Sequence, residues 1–169
     1  MLRLLGAAIG VFVFVTAPVL AEEQAVEAKE NGQIEFTMPS GNIGCLYTPA
    51  GGTDVYEPEG GGPELICERV EPSYVTVILG GEGEAQVVED SGEQSCCGAE
   101  NIFEYGNTIT LEGFVCLSET TGLTCEREDG YGFTMARSGI ETFGPEEGQG
   151  ADDEDSSGED TEDEDTEQE

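Results

Sequence analysis

The stretch FVCLSETTGLTCEREDGYGFTMAR, residues 114–137, decides the fold. Apolar and polar residues alternate on both sides of Thr120 and Thr121, with the period of a half-buried strand. If those threonines form a two-residue hairpin loop, Cys116 lies directly opposite Cys125. Counted outward from the loop, the pair takes a non-hydrogen-bonded position, where Cα atoms approach to about 4.5 Å. That separation suits a disulfide. Asp129–Gly130 is a strong hairpin signal and turns a third strand, 131–137, back against 122–128. The segment therefore predicts a three-stranded meander with one cross-strand staple.

Working outward, short alternating runs recur: QIEFTM (33–38), IGCLY (43–47), ELICERV (64–70), YVTVIL (74–79), AQVVE (85–89) and TITLEGFVC (108–116). Helix signals are nearly absent. Eight short strands with Gly, Pro, Asn and Asp between them predict an all-β fold, a small antiparallel β-sandwich or barrel with disulfides. GGEGE (80–84) reads as a hairpin turn, and TPAGGTDVYEPEGGGPE (48–64) as a long surface loop.

The ends of the chain read differently. Arg3 precedes an apolar run from Leu4 to Val15, and Val19 and Ala21 occupy the small-residue positions of a cleavage site. This predicts a signal peptide over 1–21, cut after Ala21. The apolar run is too short for the ~20 residues that span a bilayer. Residues 22–30 read as a flexible leader and 31–144 as the disulfide-bonded β domain. More than half of residues 145–169 are Asp or Glu, with no large apolar side chain, so a disordered acidic C-terminal tail is expected. The expected location is secreted or periplasmic, with no membrane contact once the signal is removed.

The net charge is −33. Residues 31–144 alone carry 20 acidic side chains against Arg69, Arg127 and Arg137, and Lys29 is the only lysine. A surface of that sign repels nucleic acid and anionic lipid, and both are excluded as partners. Solubility in a salty medium accounts for the charge, as does binding of cations or of a basic protein. The chain has no histidine, which removes Ser-His-Asp and Cys-His catalysis. A non-enzymatic protein without cofactor or metal centre is expected.

All six cysteines follow the cleavage site, and an even count in a small exported domain implies a disulfide framework. Cys116–Cys125 follows from the hairpin, and Cys45–Cys67 would close the Gly/Pro-rich loop. Cys96 and Cys97 remain, adjacent in DSGEQSCCGAEN (90–101). Neighbouring Cα atoms are ~3.8 Å apart, below the usual bridge range of about 4.4–6.8 Å. The doublet reads as a structural bond, including a crossed pairing with Cys45 or Cys67, or as a reducible vicinal bridge or dithiol with a redox role. Zinc is disfavoured, since no histidine or Cys-x-x-Cys is present.

FTMPSGNIGC (36–45), Cys67, FEYGNTI (103–109) and FVCLSETTGLTCEREDGYGFTMAR (114–137) together resemble an uncharacterised family of bacterial secreted domains. The resemblance covers most of residues 34–143. It implies a compact extracytoplasmic disulfide-bonded β domain and no activity. The family pattern places a further cysteine soon after Cys67. Here ERVEPSYVTV (68–77) has none, so the family's third pairing does not carry over to Cys96 and Cys97.

Two features tempt a sharper reading. Asp153, Asp155, Ser157, Gly158, Glu159 and Glu164 fall at calcium-loop spacing. Asp160 stands where that motif needs an apolar residue, and no amphipathic helices flank it, so weak divalent-cation binding by the tail is expected rather than an EF-hand. Arg137, Tyr131 and Phe133 belong to the family-like motif, and read as an ion pair among many carboxylates and as strand packing. The functional expectation is a binding or structural module with an unknown protein or envelope partner. The alternatives are a redox-responsive protein acting through Cys96 and Cys97, or cation binding by the tail.

Overall fold

A computed structural model describes residues 21–89 and 97–145. The expected signal peptide up to residue 20 and the acidic tail from 146 onward lie outside the described residues. Twelve strands are described: β1 (Glu22–Glu23), β2 (Ile34–Thr37), β3 (Ile43–Thr48), β4 (Glu64–Arg69), β5 (Val75–Leu79), β6 (Gln86–Glu89), β7 (Asn101–Ile102), β8 (Asn107–Leu111), β9 (Phe114–Glu119), β10 (Gly122–Arg127), β11 (Gly132–Ala136) and β12 (Gly139–Phe143). They form two six-stranded sheets, β1-β8-β9-β10-β11-β12 and β7-β2-β3-β4-β5-β6. The fold is an all-β sandwich.

Alternation along each strand explains the two layers. Inward positions on one sheet include Phe36, Ile43, Cys45, Tyr47, Leu65, Cys67, Val77 and Leu79. Those on the other include Ile109, Leu111, Phe114, Cys116, Leu123, Cys125, Phe133 and Met135. They form one buried cluster. The disulfides lie within it, each across neighbouring strands: Cys45–Cys67 and Cys116–Cys125, both with Cα atoms 4.1 Å apart. In the chain-entropy model, loops of this size are stabilised by ~3 kcal/mol each. Glu119 pairs with Gly122 across the Thr120–Thr121 turn, which sets Cys116 opposite Cys125.

The sheets repeat one plan. Each is a five-strand antiparallel meander, β2 to β6 or β8 to β12, with a two-residue strand added in parallel to its first member. The added strands are exchanged: β1 precedes β2 in the chain but pairs with β8, and β7 precedes β8 but pairs with β2. Registers correspond as well. Cys45 faces Phe36 and Cys67, and Cys67 faces Val77. Cys116 faces Ile109 and Cys125, and Cys125 faces Phe133. The third meander strands even share a motif, LICER (65–69) and LTCER (123–127). The protein is thus two equivalent halves around a pseudo-twofold axis.

Two sequence expectations change. The leader is not loose throughout. Glu22 and Glu23 pair with Asn107 and Thr108, and Val26 packs against the core. Its polar composition concealed this, because backbone pairing with a sheet edge requires no apolar side chain. Arg69 and Arg127, counted above among the surface charges, are buried at 4% and 5% exposure. Each ties its sheet to the other: Arg69 Nη1 donates to Ala136 O at 2.6 Å, and Arg127 Nη1 donates to Gly80 O at 2.6 Å. The two acceptors occupy corresponding places, each one residue past Leu79 or Met135.

Candidate functional site

The pseudo-twofold axis exchanges the two ends of the sandwich, and the ends differ. At one end the connection from β3 to β4 is the long loop 49–63. Its last residue, Pro63, packs against turns of both sheets. A Cβ on Gly113 would lie 3.4 Å from Pro63 Cγ, and one on Gly81 would lie 3.2 Å from Pro63 Cδ. Gly113 also has φ +87, a left-handed conformation that glycine adopts without steric cost. Tyr56 donates to Glu64 at 2.6 Å and pins the loop. That hydrogen bond, then burial, pushes the Tyr56 hydroxyl up to about 12. Burial, then the nearby Glu112 charge, also raises Tyr47. Arg127 completes the closure. Its Nε and Nη2 take the Asp129 carboxylate at 2.8 and 2.7 Å, Nη2 also donates to Gly83 O, and its guanidinium sits 5.3 Å from the Tyr131 ring centre. The Arg127 hydrogen bond holds Asp129 below the usual carboxylate range.

At the other end the equivalent connection, from β9 to β10, is only the Thr120–Thr121 turn. Among the described residues no loop covers the mouth, and a cleft of about 380 Å³ opens between Met38–Ile43, Tyr105, the Glu119–Gly122 turn and Arg137. The positions that match Gly113 and Gly81 are Asn42 and Arg137, so side chains stand where the sealed end has none. Asn42 is committed to structure, donating to Glu71 O at 3.1 Å and accepting from Glu71 N at 2.8 Å. Gln24 braces the segment bearing Tyr105 by donating to Ile102 O at 2.6 Å and accepting from Glu104 N and Asn107 Nδ2 at 3.0 Å. Arg137 reaches Glu71 at 3.1 Å, with the two side chains 66% and 65% exposed. Such an exposed pair contributes ~0–1 kcal/mol and yields easily to a competing group. The cleft therefore presents a guanidinium, the hydroxyls of Ser40, Thr120 and Thr121, and the partly exposed Tyr105 ring.

A second recess, about 480 Å³, lies on the outer face of β2, β3 and β4, with Leu46 and Ile66 beside Glu35 and Glu68. Cys97 sits at its edge. A Cβ on Gly44 would lie 3.1 Å from Cys97 Sγ, so the glycine leaves room for the sulfur. Ala99 N donates to Thr37 Oγ1 at 3.2 Å and anchors the segment. Residues 90–96, which precede Cys97 in the chain, lie outside the described residues.

The cysteines separate into two environments. Cys45, Cys67, Cys116 and Cys125 are buried in the core, where a disulfide is a staple. Cys97 is also disulfide-bonded, half-buried on the outer face, and has φ 85. Cys96 lies outside the described residues, as do Asp153 to Glu164. Phe133 is core, Tyr131 packs under Arg127, and Arg137 lines the open cleft. Among the described residues no group of three or more acidic or cysteine side chains could hold a metal ion, and no helix is long and apolar enough to cross a membrane. The disulfides indicate an oxidising compartment.

PSGN (39–42), YG (105–106), the Thr120–Thr121 turn and Arg137 stand in separate stretches of the sequence. The structure gathers them at one end. The signal that could have found this was the repeated L-x-C-E-R motif, which aligns the halves and exposes the unequal connections after β3 and β9. Comparison with known proteins returns nothing: no family model, curated protein or solved structure matches the chain.

Proposed function

We propose that this chain is an exported, non-catalytic binding module of the cell envelope or extracellular space, and that it binds through the open-end cleft. The uncharacterised secreted family that its motifs resemble fits this reading. The carrying observation is the contrast between ends. One mouth is closed by the chain's own loop, while the equivalent mouth leaves Arg137, three hydroxyls and Tyr105 around an open cleft. Export is supported by the signal-like first 21 residues and by the disulfides. The test is retention of labelled full chain on an envelope fraction. Thr121→Trp, which fills the cleft from an exposed turn, should abolish retention. Val115→Ala, on an outer face, should leave it intact. Equal retention of both variants would contradict the reading.

A redox role for Cys96 and Cys97 is the second reading. It is favoured by the half-buried, positive-φ position of disulfide-bonded Cys97, in contrast to the four core cysteines. Under mild dithiol reductant, alkylation of Cys97 well before the other four would support it, and simultaneous labelling would remove it. Weak divalent-cation binding by residues 145–169 accompanies either reading, and deletion of those residues should abolish it.

A further inference from the structure

The two buried arginines meet their acids differently. At the sealed end Asp129, two residues after Arg127, holds Nε and Nη2 of that arginine. At the open end the corresponding acid, Glu71, two residues after Arg69, instead pairs with Arg137. Among the described residues Arg69 has only a carbonyl and a hydroxyl: Nη1 donates to Ala136 O and Nη2 to Ser73 Oγ at 3.4 Å. Its Nε is buried and has no hydrogen-bond partner among the described residues. A buried donor left unmade loses its hydration without return, and a buried cation needs a counter-charge. The Glu71 carboxylate is thus taken by Arg137, and among the described residues Arg69 is in no ion pair.

We propose that the open-end cleft binds a carboxylate on Arg137, and that the displaced Glu71 turns to Arg69 as Asp129 does to Arg127. The inference rests on the reading of this cleft as the binding site. With the ligand in place, two arginines face two carboxylates and the Arg69 Nε–H gains its acceptor. Arg137 is suited to the task because its fork accepts a carboxylate in bidentate geometry, and its bond to Glu71 is solvent-exposed and weak. Ser40, Thr120 and Thr121 supply hydroxyl donors beside it, and Tyr105 supplies an apolar wall. Among the ion pairs of the described residues none joins Glu119, on the cleft wall, to either arginine. The net charge of −33 opposes polyanions. It leaves a compact monoanion accessible, since screening confines that repulsion to ~8 Å at physiological salt. The ligand is thus a small molecule or chain end with a single carboxylate, supplied by a sugar acid or by a peptide C-terminus.

The experiment uses isotope-labelled full chain and four probes: glucuronate, N-acetyl-alanine and their neutral counterparts glucose and N-acetyl-alaninamide. Amide and arginine Nε–H resonances are followed together. Saturable shifts at Tyr105, Thr121 and Arg137 are expected with one carboxylate and not with its neutral counterpart, which also identifies the source. The Arg69 Nε–H should move along the same titration curve. Arg137→Ala, an exposed change, should weaken binding by about tenfold or more. In Glu71→Gln the cleft amides should still respond while Arg69 Nε–H stays still. Cleft shifts with an unmoved Arg69 Nε–H in the unaltered chain would overturn the hand-over. Equal shifts by neutral probes would overturn the carboxylate assignment and leave the binding-cleft reading standing. No shift with any probe would overturn the carboxylate assignment, while envelope retention abolished by Thr121→Trp would still support the cleft. Failure of both experiments removes the cleft reading as well.

Discussion

The halves of this protein share strand order, disulfide position and buried arginine, yet their ends diverge. At the sealed end a 15-residue loop, two glycines and a fully held arginine fill the mouth. At the open end a two-residue turn, Asn42, Arg137 and an incompletely held arginine border an open cleft. The comparison teaches that the common elements are scaffold and that the differences mark the site. A feature present in both halves cannot account for a binding site at one end.

The largest expected effect sharpens the comparison at the arginines. Arg127→Ala removes a side chain that bonds Gly80 O, Gly83 O and Asp129, and should cost ~3 kcal/mol or more in denaturant unfolding. Arg69→Ala should cost less, since its Nε is already unmatched. Equal losses would break the asymmetry.

Next come the staples. Replacing Cys45 and Cys67 by Ala should destabilise more than replacing Cys116 and Cys125. Their sequence separations are 22 and 9, which the chain-entropy model converts to a difference of roughly 0.8 kcal/mol on losses of ~3 kcal/mol each. The reverse order in chemical unfolding would show that the loop lengths do not govern the difference.

Smaller effects come from the acids. The folded-state value of Asp129 is depressed by Arg127, so its stabilisation is present above the ordinary value of 3.8 and is lost as pH falls through the lower folded value. Asp129→Asn should flatten stability against pH in that acid window.

The smallest effect lies at the loop. Tyr56 is raised from 10.0 to about 12, so its contribution is full below pH 10 and lost as pH rises through about 12. Tyr56→Phe should remove that alkaline loss, visible as a shallower fall in melting temperature over the same window.

Much of the scaffold was legible. The Thr120–Thr121 turn sets one register because side-chain alternation has a period of two, and most strands read from that alternation lie where expected; TITLEGFVC (108–116), read as a single strand, is instead split by a turn at Glu112–Gly113 into β8 and β9. The short strands β1 and β7 were not legible. Their pairing is made by backbone groups, to which Glu22, Glu23 and Asn101 add no apolar signature. β12, GIETF, is an edge strand with little burial and so little pattern. Burial of Arg69 and Arg127 was missed because charge alone argues for solvent, whereas carbonyls of the opposite sheet and, for Arg127, an aspartate receive them. The cleft needed both halves in register before its residues could be seen as neighbours.

The most direct test of the central claim is an amide chemical-shift map of the isotope-labelled full chain in the presence of solubilised envelope fragments. The account predicts shifts confined to the open end, at residues 38–42, 105–106, 119–122 and 137, with Gly62, Gly81 and Gly113 at the sealed end unmoved. Shifts centred on the sealed end, or on the outer face at Gly44 and Cys97, would contradict it.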